Sequence, residues 1–484
     1  MSQAPSLSPI LHLPEAAVLV AGIGGAWWLT PQNEVEALSH RQAASRLAAS
    51  SLPIVCHAPA TARRLDVALF HARDILELFA FVRPARFCLP TPRGVAAALD
   101  LPLPKTPEDE TRALASAVQL LLEELSLMDP HNAGDVLSLA EIMEGCGWPW
   151  GTTICQVFEN NIVKRSGPSQ QALEVWRRLK EWGEYAPEPP GGQEAVTADE
   201  ATSRLESLLG PEAESRPQQM DYAAGVTAAF VPREEADDPR VALAEAGTGV
   251  GKTLGYLAPA SLWAQKNHGP VWISTYTRNL QHQIDGELDR LYPQPNHKAA
   301  KAVIRKGREN YLCLLNLEEA VGALAGRPPA SRERDATALG LFARWTGATR
   351  DGDMVGGDFP AWLSDLLGRG RTYGLADRRG ECIFSSCTHF RKCFIERSVR
   401  RSRRAEIVIA NHALVMVQAA LGGGEDDDPF VPARYVFDEG HHVFEAADSA
   451  FSAHLTGLEM VELRRWILGS EGREGRLTAG RMRG

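Results

Sequence analysis

The sequence lacks the features that mark several protein classes. Eight cysteines among 484 residues are too few for a disulfide-dense secreted domain. Basic residues do not predominate, since 51 Lys and Arg stand against 61 Asp and Glu and the net charge is −10. Any contact with nucleic acid must therefore come from a local basic patch. The 44% hydrophobic and 23% charged fractions exclude a wholly disordered or fibrous chain.

Export and membrane signals are also missing from the N-terminal region. Residues 1–15 contain no Lys or Arg, and the apolar stretch at 16–29 is interrupted by three glycines. A stretch of about 14 residues is too short to span a bilayer. We expect one or two core strands with a turn there, no membrane association and a cytoplasmic location.

The remaining pattern predicts an α/β protein with about three domains. An α/β domain is expected at 12–128, with a strand at 53–58 and helices at 74–82, 93–101 and 110–125. A helical connector and a Pro/Gly-rich linker (186–200) are expected within 129–200. A second α/β unit is expected over 210–484. Its predicted buried parallel strands are VALAEA (241–246), VWIST (271–275), IVIA (407–410) and YVFDE (435–439). A polar loop is expected at 422–429, the start of a helical insertion at about 445–470, and an unstructured Gly/Arg-rich tail after it.

A glycine-rich loop carries the strongest chemical signal. The segment AEAGTGVGKT (244–253) follows a β-rich run and precedes a helical pattern, so its backbone N–H groups and the helix dipole suit a phosphate chain. Lys252 would reach the β- and γ-phosphates of a bound nucleotide, and Thr253 would place its hydroxyl on Mg²⁺. The alternative is a turn that binds nothing. The predicted nucleotide-binding residues of the loop are Gly247, Thr248, Gly249, Gly251, Lys252 and Thr253.

An acid pair supplies the second half of a nucleotide site. In YVFDEGH (435–441), Asp438 would hold Mg²⁺, and Glu439 would orient and polarise the attacking water. The alternative is a strand end with a chance Asp-Glu pair. With Lys252, these two acids are the predicted catalytic residues.

Four cysteines lie between the loop and the acid pair: Cys313, Cys382, Cys387 and Cys393. Thiolates bind iron–sulfur clusters and structural zinc. Zinc ribbons favour CxxC knuckles, which the sequence lacks, so a four-cysteine iron–sulfur site is favoured over zinc or unliganded thiols. Cys56, Cys88, Cys146 and Cys155 are expected to be ordinary buried thiols.

Five ordered motifs over about residues 210–460 resemble the DinG/XPD-like iron–sulfur helicases of superfamily 2. Besides the loop and the acid pair, these include STYTRNLQHQ (274–283), KGRENYLC (306–313) and IVIANHALV (407–415). RPQQMDYA (216–223) is similar to an upstream motif in which Gln219 would recognise adenine. His441 takes the position that couples hydrolysis to movement in DEAH-box motors, and Gly440 is a mild departure from that pattern.

This resemblance implies a RecA-like motor lobe with an insertion at about 310–400 that holds a [4Fe–4S] cluster. It also implies an ATP-dependent helicase that moves 5′→3′ on single-stranded or forked DNA, with a role in DNA repair. The basic segment RKCFIERSVRRSRR (391–404) would contact phosphates, unless it is only a solvated helix face. Tyr311, Phe384, Phe390 and Phe394 could stack on bases, although most of them are expected in the core.

Two further expectations concern the ends of the sequence. Residues 15–125 resemble DEDD-type exonucleases of the RNase H-like fold, but Ala62 and Ser116 stand where acids are needed, and the first strand has none. We therefore expect a degenerate domain without nuclease activity, or an unrelated α/β domain. Only 43 residues follow His441, fewer than a second motor lobe needs. We therefore expect ATP and DNA binding with little turnover. The alternatives are an ATP- and DNA-binding fragment without motor activity, and a zinc-containing P-loop ATPase with another substrate.

Overall fold

The computed structural model describes most of the chain, in segments separated by gaps. The described residues are 13–49, 52–160, 167, 169–184, 186, 189, 191–211, 214, 216–234, 239–247, 249–377, 382–420, 434–453, 457, 460, 463–464 and 467. The predicted loop at 422–429 and the tail after about residue 470 lie outside the described residues, as does most of the expected helical insertion (about 445–470) beyond residue 453.

The chain divides into two compact units. The first unit contains residues 1–187 and 307–400, and the second contains residues 188–306 and 401–484. Nine strands are described: β1 (Val18–Ala21), β2 (Ala26–Leu29), β3 (Val35–Leu38), β4 (Ile54–Val55), β5 (Arg73–Asp74), β6 (Val271–Thr275), β7 (Ala302–Ile304), β8 (Ile407–Asn411) and β9 (Arg434–Phe437). The α-helices in the described part of the chain are α1 (His40–Ala49), α2 (Ala58–Leu65), α3 (Ile75–Val82), α4 (Pro92–Ala98), α5 (Pro107–Ser126), α6 (Pro130–Gly145), α7 (Gly151–Asn160), α8 (Ala198–Leu209), α9 (Pro217–Val226), α10 (Lys252–Asn267), α11 (Arg278–Leu291), α12 (Pro295–Lys301), α13 (Leu314–Ala323), α14 (Pro329–Ala348), α15 (Ala361–Leu367), α16 (Arg369–Tyr373), α17 (Phe394–Arg404), α18 (His412–Ala420) and α19 (Val443–Phe451).

The first unit is built on a mixed sheet with strand order β3-β2-β1-β4-β5. Strand β1 runs antiparallel to β2 and parallel to β4. Side chains alternate across β1, so Val18 and Val20 join one hydrophobic cluster and Leu19 joins another on the opposite face. The core strands and turn expected at 16–29 are confirmed, and the structure has two strands there, β1 and β2.

A single large hydrophobic cluster joins the two sequence segments of the first unit. It contains Trp148 and Trp150, which follow α6, and also Phe342 and Trp345 on α14. Trp150 donates from Nε1 to the carbonyl of Asp74 at 2.7 Å. Residues 307–400, which the sequence pattern placed within the nucleotide-binding unit, therefore share a core with the N-terminal segment.

The second unit is built on a parallel sheet with order β7-β8-β6-β9. Both faces are covered, since Val271 and Ile273 pack with α8 and α10 while Trp272 and Val408 pack on the other side. Near-continuous apolar runs suit strands that are buried on both faces. The strands predicted at 271–275 and 407–410 are therefore confirmed, as is the α/β class.

Two strand predictions are corrected by the structure. Residues 241–246 form no strand, and Val241 and Leu243 are 75% and 97% exposed. The other four residues are Ala and Glu, which favour strands weakly, so two apolar side chains do not suffice. The strand predicted at 435–439 exists as β9, but Tyr435 and Phe437 are half-exposed rather than buried because β9 lies at the sheet edge.

The start of helix α8 corrects the predicted end of the linker. Thr197 caps α8 in a capping box with Glu200, so the helix begins at Ala198, inside the linker predicted to reach residue 200. A capping box of the same kind begins α5, where the Thr106 side chain accepts from the backbone N–H of Asp109 and Pro107 occupies the first turn.

Within the described residues, no helix combines the length and apolar character that crossing a bilayer requires.

Candidate nucleotide site and cysteine cluster

The glycine-rich loop ends where α10 begins. Gly251 caps this helix with φ +88°, a backbone conformation that favours glycine, and Gly249 has φ +83°. Gly247 and Gly249 are exposed, and Thr248 lies outside the described residues. Lys252 and Thr253 form the first turn of α10, so their side chains and the helix N-terminus belong to one end of the second unit.

The acid pair follows β9 at the same end of the unit. The Nζ atom of Lys252 lies 3.2 Å from Oε1 of Glu439, so two motifs 187 positions apart in sequence are in contact. Glu439 has φ +56°, which is uncommon for a residue with a side chain and typical of strained functional positions. His441 is exposed, and its Nδ1 lies 3.6 Å from Oε2 of Glu439.

Asp438 is held by the end of β6. Its backbone N–H donates to the carbonyl of Ser274 at 2.8 Å, and Thr275 Oγ1 donates to its Oδ2 at 3.2 Å. Burial raises the pKa of Asp438, and the charge of Glu439 raises it further, while Thr275 and Lys252 oppose the shift. A cation at this carboxylate would offset the cost of its ionisation.

Gln219 lies against the loop and is almost fully buried. Its Nε2 donates to the carbonyl of Gly251 at 2.8 Å. Arg216 donates from Nη1 to the carbonyl of Gly249 at 3.0 Å. The adenine-recognising role of Gln219 stays a prediction, and in this structure its amide orders the loop.

Sequence reasoning missed several residues that position the acid pair. Thr275 and Ser274 belong to the motif at 274–283, yet their contact with Asp438 was not anticipated. His412 lies buried with Nδ1 2.7 Å from Ser274 Oγ. Tyr276 stacks on His442 with ring centroids 3.8 Å apart. Parallel strands place their carboxyl ends at one edge of a sheet. That rule could have predicted that the residues after β6 and after β9 lie close together.

The four cysteines of the motif line one small cavity in the first unit. Cys313, Cys382, Cys387 and Cys393 surround a volume of about 30 Å³. Among the described residues, no group of three or more His, Cys, Asp or Glu side chains already has the arrangement of a metal site. The donor set is nevertheless four thiols around a common space, which suits a soft metal centre.

Two of these cysteines immediately precede helices. Cys313 is followed by α13 and Cys393 by α17, and backbone N–H groups of the first turns face the two sulfur atoms. Such donors favour the thiolate form. Burial has the opposite and larger effect, since it raises the pKa of Cys313 to about 12 and that of Cys393 to about 11. Without a bound cation these thiols are protonated at neutral pH.

The other cysteines match the expectation only in part. Cys88 and Cys155 are buried, whereas Cys56 and Cys146 are partly exposed. Of the candidate stacking aromatics, Tyr311 and Phe394 belong to the core, and Phe390 is partly buried. Phe384 is 58% exposed, with the Arg308 guanidinium 4.7 Å from its ring centroid.

The two positions at which the exonuclease resemblance would need acids lie on helices of the first unit. Ala62 is buried on α2, and Ser116 is exposed on α5. The buried acid nearby, Asp74, accepts from the N–H groups of His57, Ala58 and Leu76. It therefore caps α3 and orders the start of α2.

Comparison with known proteins points to one helicase group. The chain is 32% identical over 270 residues to the ATP-dependent DNA helicase YoaA of Escherichia coli, covering 52% of this chain and 37% of that protein. It is 29% identical over 227 residues to YoaA of Haemophilus influenzae, covering 45% and 32%. The matched half of the chain is DinG-like. It is 31% identical over 263 residues to the 3′-5′ exonuclease DinG of Bacillus subtilis, covering 52% and 25%. The chain thus spans well under half the length of these relatives, and no family model matches it.

Proposed function

We propose that the second unit is the ATP-binding lobe of a DinG-type DNA helicase, of the RecA-like kind. The ion pair between Lys252 and Glu439 carries the proposal, because it joins a phosphate-binding loop to the acids that hydrolysis requires. The similarity to named ATP-dependent helicases supports it independently. The two motifs alone would also suit other ATPases, so the helicase assignment rests on the comparison.

Each residue of the site has a distinct role in this proposal. Lys252 exchanges Glu439 for the β- and γ-phosphates when ATP binds, and this exchange frees Glu439 to orient the attacking water. Thr253 and Asp438 are the residues that would hold Mg²⁺, which neutralises phosphate charge when bound. Gln219 contacts the adenine. Its hydrogen bond to the carbonyl of Gly251 connects this contact to the glycine-rich loop.

We further propose that the four cysteines hold a [4Fe–4S] cluster. Their common cavity and the helix N-termini behind Cys313 and Cys393 support this assignment. The absence of CxxC knuckles favours iron–sulfur over the zinc alternative. Single-stranded or forked DNA is the proposed partner of the basic segment at 391–404.

The Mg²⁺ dependence of ATP binding tests the nucleotide assignment without requiring turnover. Asp438→Asn should retain binding of free ATP but lose the gain in affinity that Mg²⁺ gives, because the carboxylate is the proposed ligand. Asp448→Asn, which removes an exposed acid from α19, is the matched control. Isothermal titration with and without Mg²⁺ measures both. Equal Mg²⁺ dependence in Asp438→Asn and the parent would contradict the proposal.

A further inference from the structure

A segment of the connector lies directly on the basic segment of the first unit. We call residues 176–184 the strap. Lys392 donates from Nζ to the carbonyls of Trp176 and Arg177 at 3.0 and 3.2 Å. Arg397 donates from Nη2 to the carbonyl of Lys180 at 3.0 Å. Two basic side chains predicted to bind phosphates therefore bind backbone oxygens of the strap.

Trp182 anchors the strap at its other end. Its backbone N–H donates to the carbonyl of Arg391 and its Nε1 to that of Phe390, both at 2.8 Å. The Arg400 guanidinium lies over the Trp182 ring, 3.5 Å from the centroid. Arg400 Nε is also buried without a hydrogen-bond partner. A cation stacked on an indole is an arrangement that also suits contact with a nucleic-acid base and phosphate.

Two carboxylates of the strap also lie near the basic segment. Arg391 lies 3.8 Å from Glu181 and 3.6 Å from Glu184. Backbone and carboxylate oxygens thus stand at the positions that phosphate oxygens would take on this surface. Exposed ion pairs of this length are weak, so a nucleic acid with many phosphates can replace them.

We propose that the strap is an autoinhibitory contact, which occupies the basic surface of residues 391–400 until single-stranded nucleic acid displaces it. This inference rests on the proposed DNA-binding function, and it adds competition within the chain itself. The strap then sets a threshold, since only a ligand that engages several of the four basic residues together can open the surface.

Anisotropy of a labelled oligo-dT strand with the full chain tests the competition. The double variant Glu181→Gln, Glu184→Gln should bind about threefold more tightly, because two weak ion pairs are lost. Trp182→Ala should bind about tenfold more tightly, because the anchor and its cation–π contact are lost. Glu174→Gln is the control, since it removes a strap-proximal charge that pairs with Arg177 rather than with the basic segment.

Salt elution from immobilised heparin gives a second readout that does not depend on DNA. Later elution of both variants, with unchanged elution of Glu174→Gln, supports the autoinhibitory contact of the strap. This holds even if no chain binds oligo-dT, and then only the DNA-binding proposal fails. Unchanged affinity and unchanged elution overturn the strap. Weaker oligo-dT binding by Trp182→Ala also overturns it, because Trp182 would then be part of the binding surface.

Discussion

At the scale of single residues, the proposed function depends on the contact between Lys252 and Glu439. The ammonium group that pairs with Glu439 is the group proposed to bind the phosphate chain. Glu439 is held meanwhile in a left-handed conformation that costs of the order of 1–3 kcal/mol and must be supported by its surroundings. Under the proposed function, binding of ATP changes the partner of Lys252 and the freedom of Glu439 in one event.

Glu77 offers a residue-scale prediction in the first unit. Burial raises its pKa from 4.5 to about 8, and the charge of Asp74 adds to the shift. Between these pH values the folded chain keeps a proton that the unfolded chain loses, so stability falls as pH rises from about 4.5 to 8. Glu77→Gln cannot ionise and still accepts from Trp148 Nε1. It should stabilise the first unit at pH 8, by of the order of 2–4 kcal/mol, and hardly at all near pH 4.5.

Thermal unfolding across this pH range measures the effect. Glu206→Gln, an exposed residue of α8, provides the control and should show no pH-dependent gain. A melting temperature for Glu77→Gln that stays parallel to that of the parent from pH 4.5 to 8 would show that Glu77 ionises normally.

At the scale of elements, helices α13 and α17 each begin beside a cysteine of the cluster. The first-turn N–H groups of both helices therefore face sulfur atoms that burial keeps protonated in the absence of a cation. Binding of iron would convert these thiols to thiolates and join the starts of two helices that lie 80 residues apart in sequence. The stability of this part of the first unit should then depend on the metal.

Cys382→Ser tests that dependence. A hydroxyl binds iron poorly, so we expect lost iron, lost brown colour and faster proteolysis within about residues 313–400. Cys88→Ser changes a buried thiol outside the cluster and should keep the iron. Metal analysis after anaerobic purification decides the point, and a parent chain with zinc but no iron would rule out the cluster.

The elements also show what the sequence could and could not predict. Long helices with regular apolar spacing, such as α5, were predicted closely because burial of one face dominates their stability. The segment at 241–246 misled the prediction because a strand needs neighbours to pair with, and its two large apolar side chains remain exposed. Short motifs singled out Lys252 and Asp438 as site residues. The contact of Thr275 with Asp438 and the contact of the strap with the basic segment depend on the tertiary structure, which no local pattern encodes.

At the scale of the whole molecule, sequence order and spatial grouping differ. Residues 307–400 interrupt the sequence of the second unit but belong to the first, where they share a core with the N-terminal segment. The four clustered cysteines, the strap and the mixed sheet of β1–β5 therefore belong to one compact unit. The glycine-rich loop and the acid pair belong to the other unit, with the parallel sheet.

The resemblance of residues 15–125 to DEDD exonucleases gives a negative prediction for the full chain. Two-metal nuclease chemistry needs several converging carboxylates, and Ala62 and Ser116 replace two of them. The chain should not degrade single- or double-stranded DNA with Mg²⁺ or Mn²⁺, under conditions in which a DEDD exonuclease does. Metal-dependent degradation that co-purifies with the chain through successive columns would show that other acids supply the site.

Comparing ATP binding by the 484-residue chain and by its Lys252→Ala variant tests the proposed nucleotide site most directly. Lys252→Ala leaves the loop backbone in place but removes the cation for the terminal phosphates, so ATP should bind at least about tenfold more weakly with little change in melting temperature. Lys105→Ala removes an exposed lysine of the first unit and should bind ATP as the parent does. If Lys252→Ala binds ATP as tightly as the parent, the glycine-rich loop is not the phosphate site.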